Sequence, residues 1–354
     1  MLPYWLMFGV PAFAALFERR GKALDHPGER WLFFIAGLAV CLLVGLRNDV
    51  GADWPAYLGH LVRASLTVFI DIPKLGDPGY ALLNWISARV DPEVWLVNLV
   101  CAGLFSWGLF SFALAQPRPW LALAVAIPYL VIVVAMGYTR QGVAIGLAMR
   151  GLVALGRERS NLKFVVWVLI AATFHKSAVL LIPISALAES HGRVWTILWV
   201  GCAAILAYFA LLQDSVDKLM YTYVAREYDS GGAAVRVIMN AIPAALFILV
   251  RKRFLLSPRE KQLWLILALI AIALVPALVI SPSSTAVDRV GLYLIPIQIM
   301  VLSQIPESFG RSGRSYRFLG FLVVLYSAFV QYVWFNFGSH SIYWLPYQNY
   351  LLQG

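Results

Sequence analysis

The chain has 354 residues, of which 61% are hydrophobic and 13% charged, with a formal net charge of +10. A water-soluble globular chain carries about 25% charged residues, so an ordinary soluble enzyme is excluded: too few polar side chains are present to cover its surface. Lys and Arg sit in short clusters between apolar blocks, which excludes nucleic acid as a partner and makes the basic excess a membrane-topology signal. The cysteines Cys41, Cys101 and Cys202 are odd in number and each lies inside an apolar block. They support neither a disulfide framework nor a Cys-rich metal site and read as packing residues.

In chain order, the first apolar block, Leu2 to Phe17, is followed rather than preceded by Arg19, Arg20 and Lys22. It therefore reads as a retained span that starts outside, not as a signal peptide. Further blocks run at about 31–46, 94–115, 119–136, 138–156, 163–174, 177–188, 194–212, 237–250, 262–280, 290–305 and 318–335. Crossing the hydrocarbon takes about 20 residues per helix, and several blocks are shorter. The predicted fold is all-α: a polytopic bundle of about 12 transmembrane helices, some short or re-entrant, forming a single transmembrane domain over 1–354. Alternating from an outside start, the inner connections collect 18 basic and seven acidic residues, leaving +11 inside and −1 outside. That is the asymmetry of the positive-inside rule, and it sets both termini outside. Between 163 and 188, two short blocks flank Phe174-His175-Lys176-Ser177; a broken or re-entrant pair fits there as well as two full spans. The long outer connections are 47–93 and 213–236, and the first predicts an interfacial helix over Trp54–Leu66 and a second one, or a re-entrant segment, over Gly79–Val90.

Ionisable groups at span mouths are costly to desolvate, so a cluster on one side of the membrane predicts a site. The outer side carries Arg47, Asp49, Asp53 and Tyr57 after the second span, Thr139-Arg140-Gln141 at the fifth, His175-Lys176 at the short pair, Arg226 and Arg236 around the ninth, and Asp288-Arg289 with Tyr293 at the eleventh. Bland readings compete with this. Asp53, Asp91 and Asp288 suit helix N-caps, and Arg47, Arg140 and Arg289 suit snorkelling anchors. Lys74, Arg89 and Lys218 read as solvated charges. Three arginines at outer span ends are better explained together, as an anion site. Arginine supplies permanently charged planar donors for phosphate oxygens, which is what a lipid pyrophosphate requires. His175 and the carboxylates supply a base or positioning group for an attacking hydroxyl. Asp49 and Asp53 are four apart, unlike a tight Asp-x-Asp metal pair, so neither a cofactor nor a divalent metal is expected.

RNDVGADWPAY at 47–57 resembles the R-x-x-x-G-x-D-x-x-x-Y signature of the EpsG-like, Wzy-type family of exopolysaccharide and O-antigen polymerases. TRQGVAIGLA at 139–148, FHKSAVLLIP at 174–183, DRVGLYL at 288–294 and the aromatic tail IYWLPYQNY at 342–350 continue the likeness in order along most of the chain. The resemblance implies a GT-C-type transferase in the bacterial inner membrane, facing the periplasm. It would move the growing glycan from undecaprenyl pyrophosphate onto the next lipid-linked repeat unit, with a chain-length regulator as an implied partner. Carried over by motif are Arg47, Asp53, Arg140, Gln141, His175, Lys176, Asp288 and Arg289; of these His175 and Asp53 are expected to be catalytic and the rest to bind substrate, joined by Asp49, Tyr57, Arg236 and Tyr293 from the outer cluster. An O-antigen ligase would share this donor chemistry. A flippase would carry cations deep in its spans, which this chain almost lacks, and an acyltransferase would need His175 near an inner-side thioester.

Overall fold

The structure, a computed structural model, describes residues 1–18, 24–91, 93–188, 193–207, 232–281, 283–310 and 312–352. It is all helical among these residues, apart from one isolated antiparallel bridge between Arg47 and Asn349. The helices are α1 (Leu2–Phe17), α2 (Pro27–Gly45), α3 (Trp54–Ser65), α4 (Pro78–Val90), α5 (Trp95–Leu114), α6 (Pro119–Ala126), α7 (Thr139–Gly156) and α8 (Asn161–Phe174). After a 3-10 turn, Lys176–Leu181, come α9 (Ile182–Leu187), α10 (Arg193–Ala207), α11 (Ala233–Val250), α12 (Pro258–Ile280), α13 (Ser284–Leu292), α14 (Ile295–Phe309) and α15 (Gly313–Phe337).

Five described helical segments are long and apolar enough to cross a membrane: α2, α5, α11 with its 3-10 extension to Arg253, α12 and α15. A sixth arises if α13 and α14, bent by 48° at Tyr293-Leu294, act as one broken span. Local signals explain the starts of two of them. Ser257 and Glu260 form a reciprocal capping box ahead of α12, with Pro258 at its first position, and Ser312 pairs likewise with Ser315 ahead of α15. Their exposed apolar faces, such as Val279 and Ile280 on α12 and Phe329 on α15, suit lipid rather than water. The segments on either side of His175, α8 and the 3-10 turn with α9, are each shorter than a crossing helix.

The core is α7 with its neighbours. Gly108 on α5 and Gly146 on α7 let the two backbones touch, since a Cβ on Gly108 would lie 1.9 Å from the Gly146 carbonyl oxygen. Packing through paired small residues is the usual way membrane helices gain close contact. Helix α6 continues as a fully buried π-helix, Ile127–Ala135. The wider ladder leaves the Ile132 carbonyl to accept from Trp344 Nε1 at 2.7 Å. Elsewhere polar side chains bind helices across the bundle: Asn240 of α11 donates to the Gly291 carbonyl at 2.7 Å and accepts from Gln298 of α14 at 2.7 Å.

The C-terminal tail is a strap over the first signature. The Asn48 amide donates to Gln348 at 3.0 Å, the Gly51 amide to Tyr343 at 2.9 Å, and the Tyr350 amide to Leu46 at 2.9 Å. Trp344 is buried beneath it and its carbonyl accepts from Tyr4 at 2.7 Å. Gly51 is required here: its φ is +108°, and a Cβ would lie 2.7 Å from the Met136 carbonyl oxygen.

Candidate functional site

The polar motifs meet at one end of the bundle, held there by hydrogen bonds between elements far apart in sequence. The predicted interfacial segments are helices α3 and α4, joined by the 3-10 turn Phe69–Leu75. The second predicted loop, 213–236, lies largely outside the described residues, as do Lys218 and Arg226. Tyr57 of α3 ties that helix to the start of α7: its hydroxyl accepts from the Thr139 amide at 2.8 Å and donates to the Gly137 carbonyl at 3.2 Å. That satisfies one of the N–H groups left unpaired at a helix start.

Next to Thr139, Arg140 reaches α4. Its Nη1 donates to Asp77 Oδ2 at 2.9 Å, while Asp77 Oδ1 accepts from the Lys176 backbone amide at 3.2 Å. One buried carboxylate thereby links α4, α7 and the break after α8. Gln141 turns the other way and donates to the Arg289 carbonyl at 2.8 Å, fixing the end of α13. At the break itself, His175 Nδ1 lies 2.6 Å from Ser177 Oγ, and the Ser177 hydroxyl donates to Tyr293 at 3.2 Å. Because Ser177 donates onward, the network assigns the ring proton to Nδ1 and leaves the lone pair on Nε2.

Electrostatics shows which of these groups share a space. Burial, then the Arg289 and Arg140 charges, hold the His175 imidazole down at about 3, so it is neutral near pH 7. The same two arginines act on Asp53, with His340 of the tail; they pull its carboxyl down, and burial outweighs them and raises it. His60 of α3 is lowered to about 4 by burial, Arg140 and Arg63. Arg140 and Arg289 thus impose their field on both Asp53 and His175, in a part of the structure rimmed by the starts of α3, α4 and α7, whose dipoles add positive potential.

Several expected site residues hold other positions. Arg47 is fully buried, not open to a ligand. Its guanidinium donates to the Val44 carbonyl at 2.5 Å, Thr139 Oγ1 at 2.7 Å, and the Val50 carbonyl and Asn98 Oδ1 at 3.4 Å each. It is a structural pin between the end of α2 and the start of α7, because a buried guanidinium must spend its donors on protein acceptors. Asp288 lies inside α13 rather than at its cap, and both its oxygens accept from Arg236 of α11, Nη2 to Oδ2 at 2.7 Å, as a bidentate pair. Tyr57 and Tyr293 are buried. Asp49 is exposed on a left-handed backbone, φ 49°. Asp91 is not an N-cap: it ends α4, accepts from the Glu93 amide at 2.8 Å, and α5 begins after Val94. Arg89 stacks on Trp85 at 3.5 Å and Lys74 pairs with Asp71 at 2.6 Å. Asp53 precedes α3 without capping it; the residue keeps solvent access, with its carboxyl partly enclosed by the surrounding protein.

Sequence reading missed Asp77, Ser177 and His340, and placed His60 in the outer cluster without giving it a role. Asp77 had a signal in Asp77-Pro78-Gly79-Tyr80, which echoes Asp53-Trp54-Pro55-Ala56-Tyr57. Asp before Pro reads first as a helix start, and that hid its link to Arg140.

The fold and this end of it define a helical membrane protein with a cationic site built from several helix ends. The EpsG family profile matches residues 30–349, nearly the whole chain. The chain belongs to the EpsG family, and with it to the membrane-associated transferases of exopolysaccharide biosynthesis. Comparison with curated proteins and with solved structures returns no match.

Proposed function

We propose that this chain is a polysaccharide polymerase that transfers a growing glycan from undecaprenyl pyrophosphate onto a lipid-linked repeat unit. The observation that supports this best is the field of Arg140 and Arg289 on one carboxylate, Asp53, and one neutral imidazole, His175. In this reading the two arginines, with Lys176, hold the donor pyrophosphate. Asp53 is the base, because Asp77 spends its oxygens on Arg140 and the Lys176 amide, Asp288 spends both of its oxygens on Arg236, and partial burial raises the basicity of Asp53. The acceptor hydroxyl gives its proton to Asp53, while the His175 Nε2 lone pair accepts from a neighbouring hydroxyl of the acceptor sugar and so orients the ring. The attacking oxygen bonds to the anomeric carbon as the bond from that carbon to the pyrophosphate breaks, and the leaving group departs with the electron pair onto the arginines. Gln141, Tyr57, Tyr293, Arg47 and the Arg236–Asp288 pair keep these groups in place.

The charge asymmetry of the connections orients this end toward the periplasm, with both termini there and the twelve apolar blocks forming one transmembrane domain in the inner membrane. A chain-length regulator is a fitting partner for such an enzyme. The test is incubation of purified protein with a lipid-linked repeat unit. A ladder of products is expected, and it disappears in Arg140→Ala and Arg289→Ala while lipid-linked repeats accumulate. Normal chain lengths in both variants would refute the assignment, and a single transfer to another acceptor would make the protein a ligase.

A further inference from the structure

At the opposite end of the bundle lies a cavity of about 1170 Å³ that the transfer chemistry does not use. It is larger than most small-molecule pockets, which run about 300–1,000 Å³. Its origin is a splay between α2 and α5. Toward the site end the two helices touch, where a Cβ on Gly45 would lie 2.8 Å from Leu99 Cα. Farther along they part: a Cβ on Gly103 would meet nothing within 4 Å, and Gly37 is approached only by the Phe110 ring. The walls are apolar, with Phe33, Phe34, Leu38, Trp107 and Leu114 among them, and several of these side chains are exposed at the mouth.

Ser106, Ser111 and Cys41 line its length, and the charged groups occur at one extremity only. Arg30 lines the cavity there, exposed, with Nε committed to the Leu24 carbonyl at 2.9 Å. Leu255 also lines it and follows the exposed run Arg251-Lys252-Arg253. Arg253 packs over Phe309 at 5.2 Å, two residues beyond Glu307 on the cavity wall. Glu307 itself accepts from Tyr316 at 2.9 Å. An apolar trough with cations at a single end matches an amphiphile with an anionic head. A partner helix would need no such end, and a neutral lipid would leave the cations unmatched.

We infer that this trough is a binding site for an anionic glycerophospholipid, its acyl chains between α2 and α5 and its phosphate at Arg30 and Arg253. The site holds whether or not the proposed transfer reaction is correct, since it involves none of the same residues. The experiment is native mass spectrometry of the full chain, delipidated and titrated with phosphatidylglycerol or phosphatidylcholine of the same acyl composition. Wild type is expected to retain one phosphatidylglycerol in preference to phosphatidylcholine. Arg30→Gln should weaken phosphatidylglycerol by about fivefold, the effect of one basic residue near a lipid phosphate, and leave phosphatidylcholine unchanged. Gly103→Leu, which fills open space, should reduce retention of both lipids, while Gly103→Ala should reduce neither. Equal retention of the two lipids by wild type overturns the proposal. So does unchanged phosphatidylglycerol binding in Arg30→Gln, a variant on an exposed residue that leaves packing intact. Recovery of a polyprenyl phosphate from the wild-type protein before delipidation, and its loss in Gly103→Leu, would also overturn it and would make the trough a carrier-tail site.

Discussion

Replacing Asp77 by Asn tests whether the site depends on how Arg140 is aimed. The substitution is isosteric. The amide oxygen still accepts from the Lys176 backbone amide, so the link to the break after α8 survives. What disappears is the charge and the acceptor opposite Arg140 Nη1, now 2.9 Å from Oδ2, since the amide NH2 placed there is itself a donor. A hydrogen bond to a charged group contributes about 1.5–3 kcal/mol. Arg140 is 34% exposed and Asp77 9% exposed, and solvent screening of the arginine puts this pair near the lower bound. If that energy serves to position the guanidinium on the transferring group, turnover falls about tenfold to thirtyfold. The assay is initial rate of ladder formation by purified Asp77→Asn, Arg140→Gln and the double variant, with melting temperatures recorded alongside. Because Asp77 acts through Arg140, the double variant should be no slower than Arg140→Gln alone. Additive losses, or a wild-type rate in Asp77→Asn, would refute the reasoning.

Three other outcomes follow from the geometry. Arg47→Lys removes a fork of donors that an ammonium cannot reproduce, so it should cost about 1.5–3 kcal/mol for each hydrogen bond lost; thermal melting should fall while the KM for donor is unchanged in the protein that folds. Gly108→Ala forces a methyl onto the Gly146 carbonyl, 1.9 Å away in the present packing, and should destabilise by about 1–3 kcal/mol or more, read as reduced protease resistance. The pH dependence follows from His175 at about 3 and His60 at about 4, against about 6.5 when unfolded. Between those values the unfolded chain binds protons that the folded chain refuses, so stability rises with pH across that window and falls on acidification. Melting temperature should drop from pH 7 to pH 5, and the double variant His60→Gln, His175→Gln should flatten that slope.

Much of this protein was legible one residue at a time. Apolar blocks and their lengths give a helical membrane chain, because a lipid solvent requires every backbone group to be paired within a helix. The five motifs, read in order, gave the family that the profile match bears out. The helices at 54–65 and 78–90 were likewise visible as amphipathic runs behind Asp and Pro. Partnership was not visible, since a side chain's neighbours depend on elements that the sequence does not order in space. Arg47 and Arg140 look alike as arginines at span mouths. Only packing makes one a fully buried pin on Val44 and Thr139 and leaves the other partly exposed against Asp77. The tail at 342–350 reads only as an aromatic end, yet tertiary structure lays it across residues 46–51 as a strap: its Tyr343 and Gln348 carbonyls accept from the Gly51 and Asn48 amides, its Tyr350 amide donates to Leu46, and Trp344 donates to Ile132. Composition thus determined the solvent of this protein and the ends where charge collects. The choice between charges that build the fold and charges that face a substrate fell to the three-dimensional pairing of donors with acceptors.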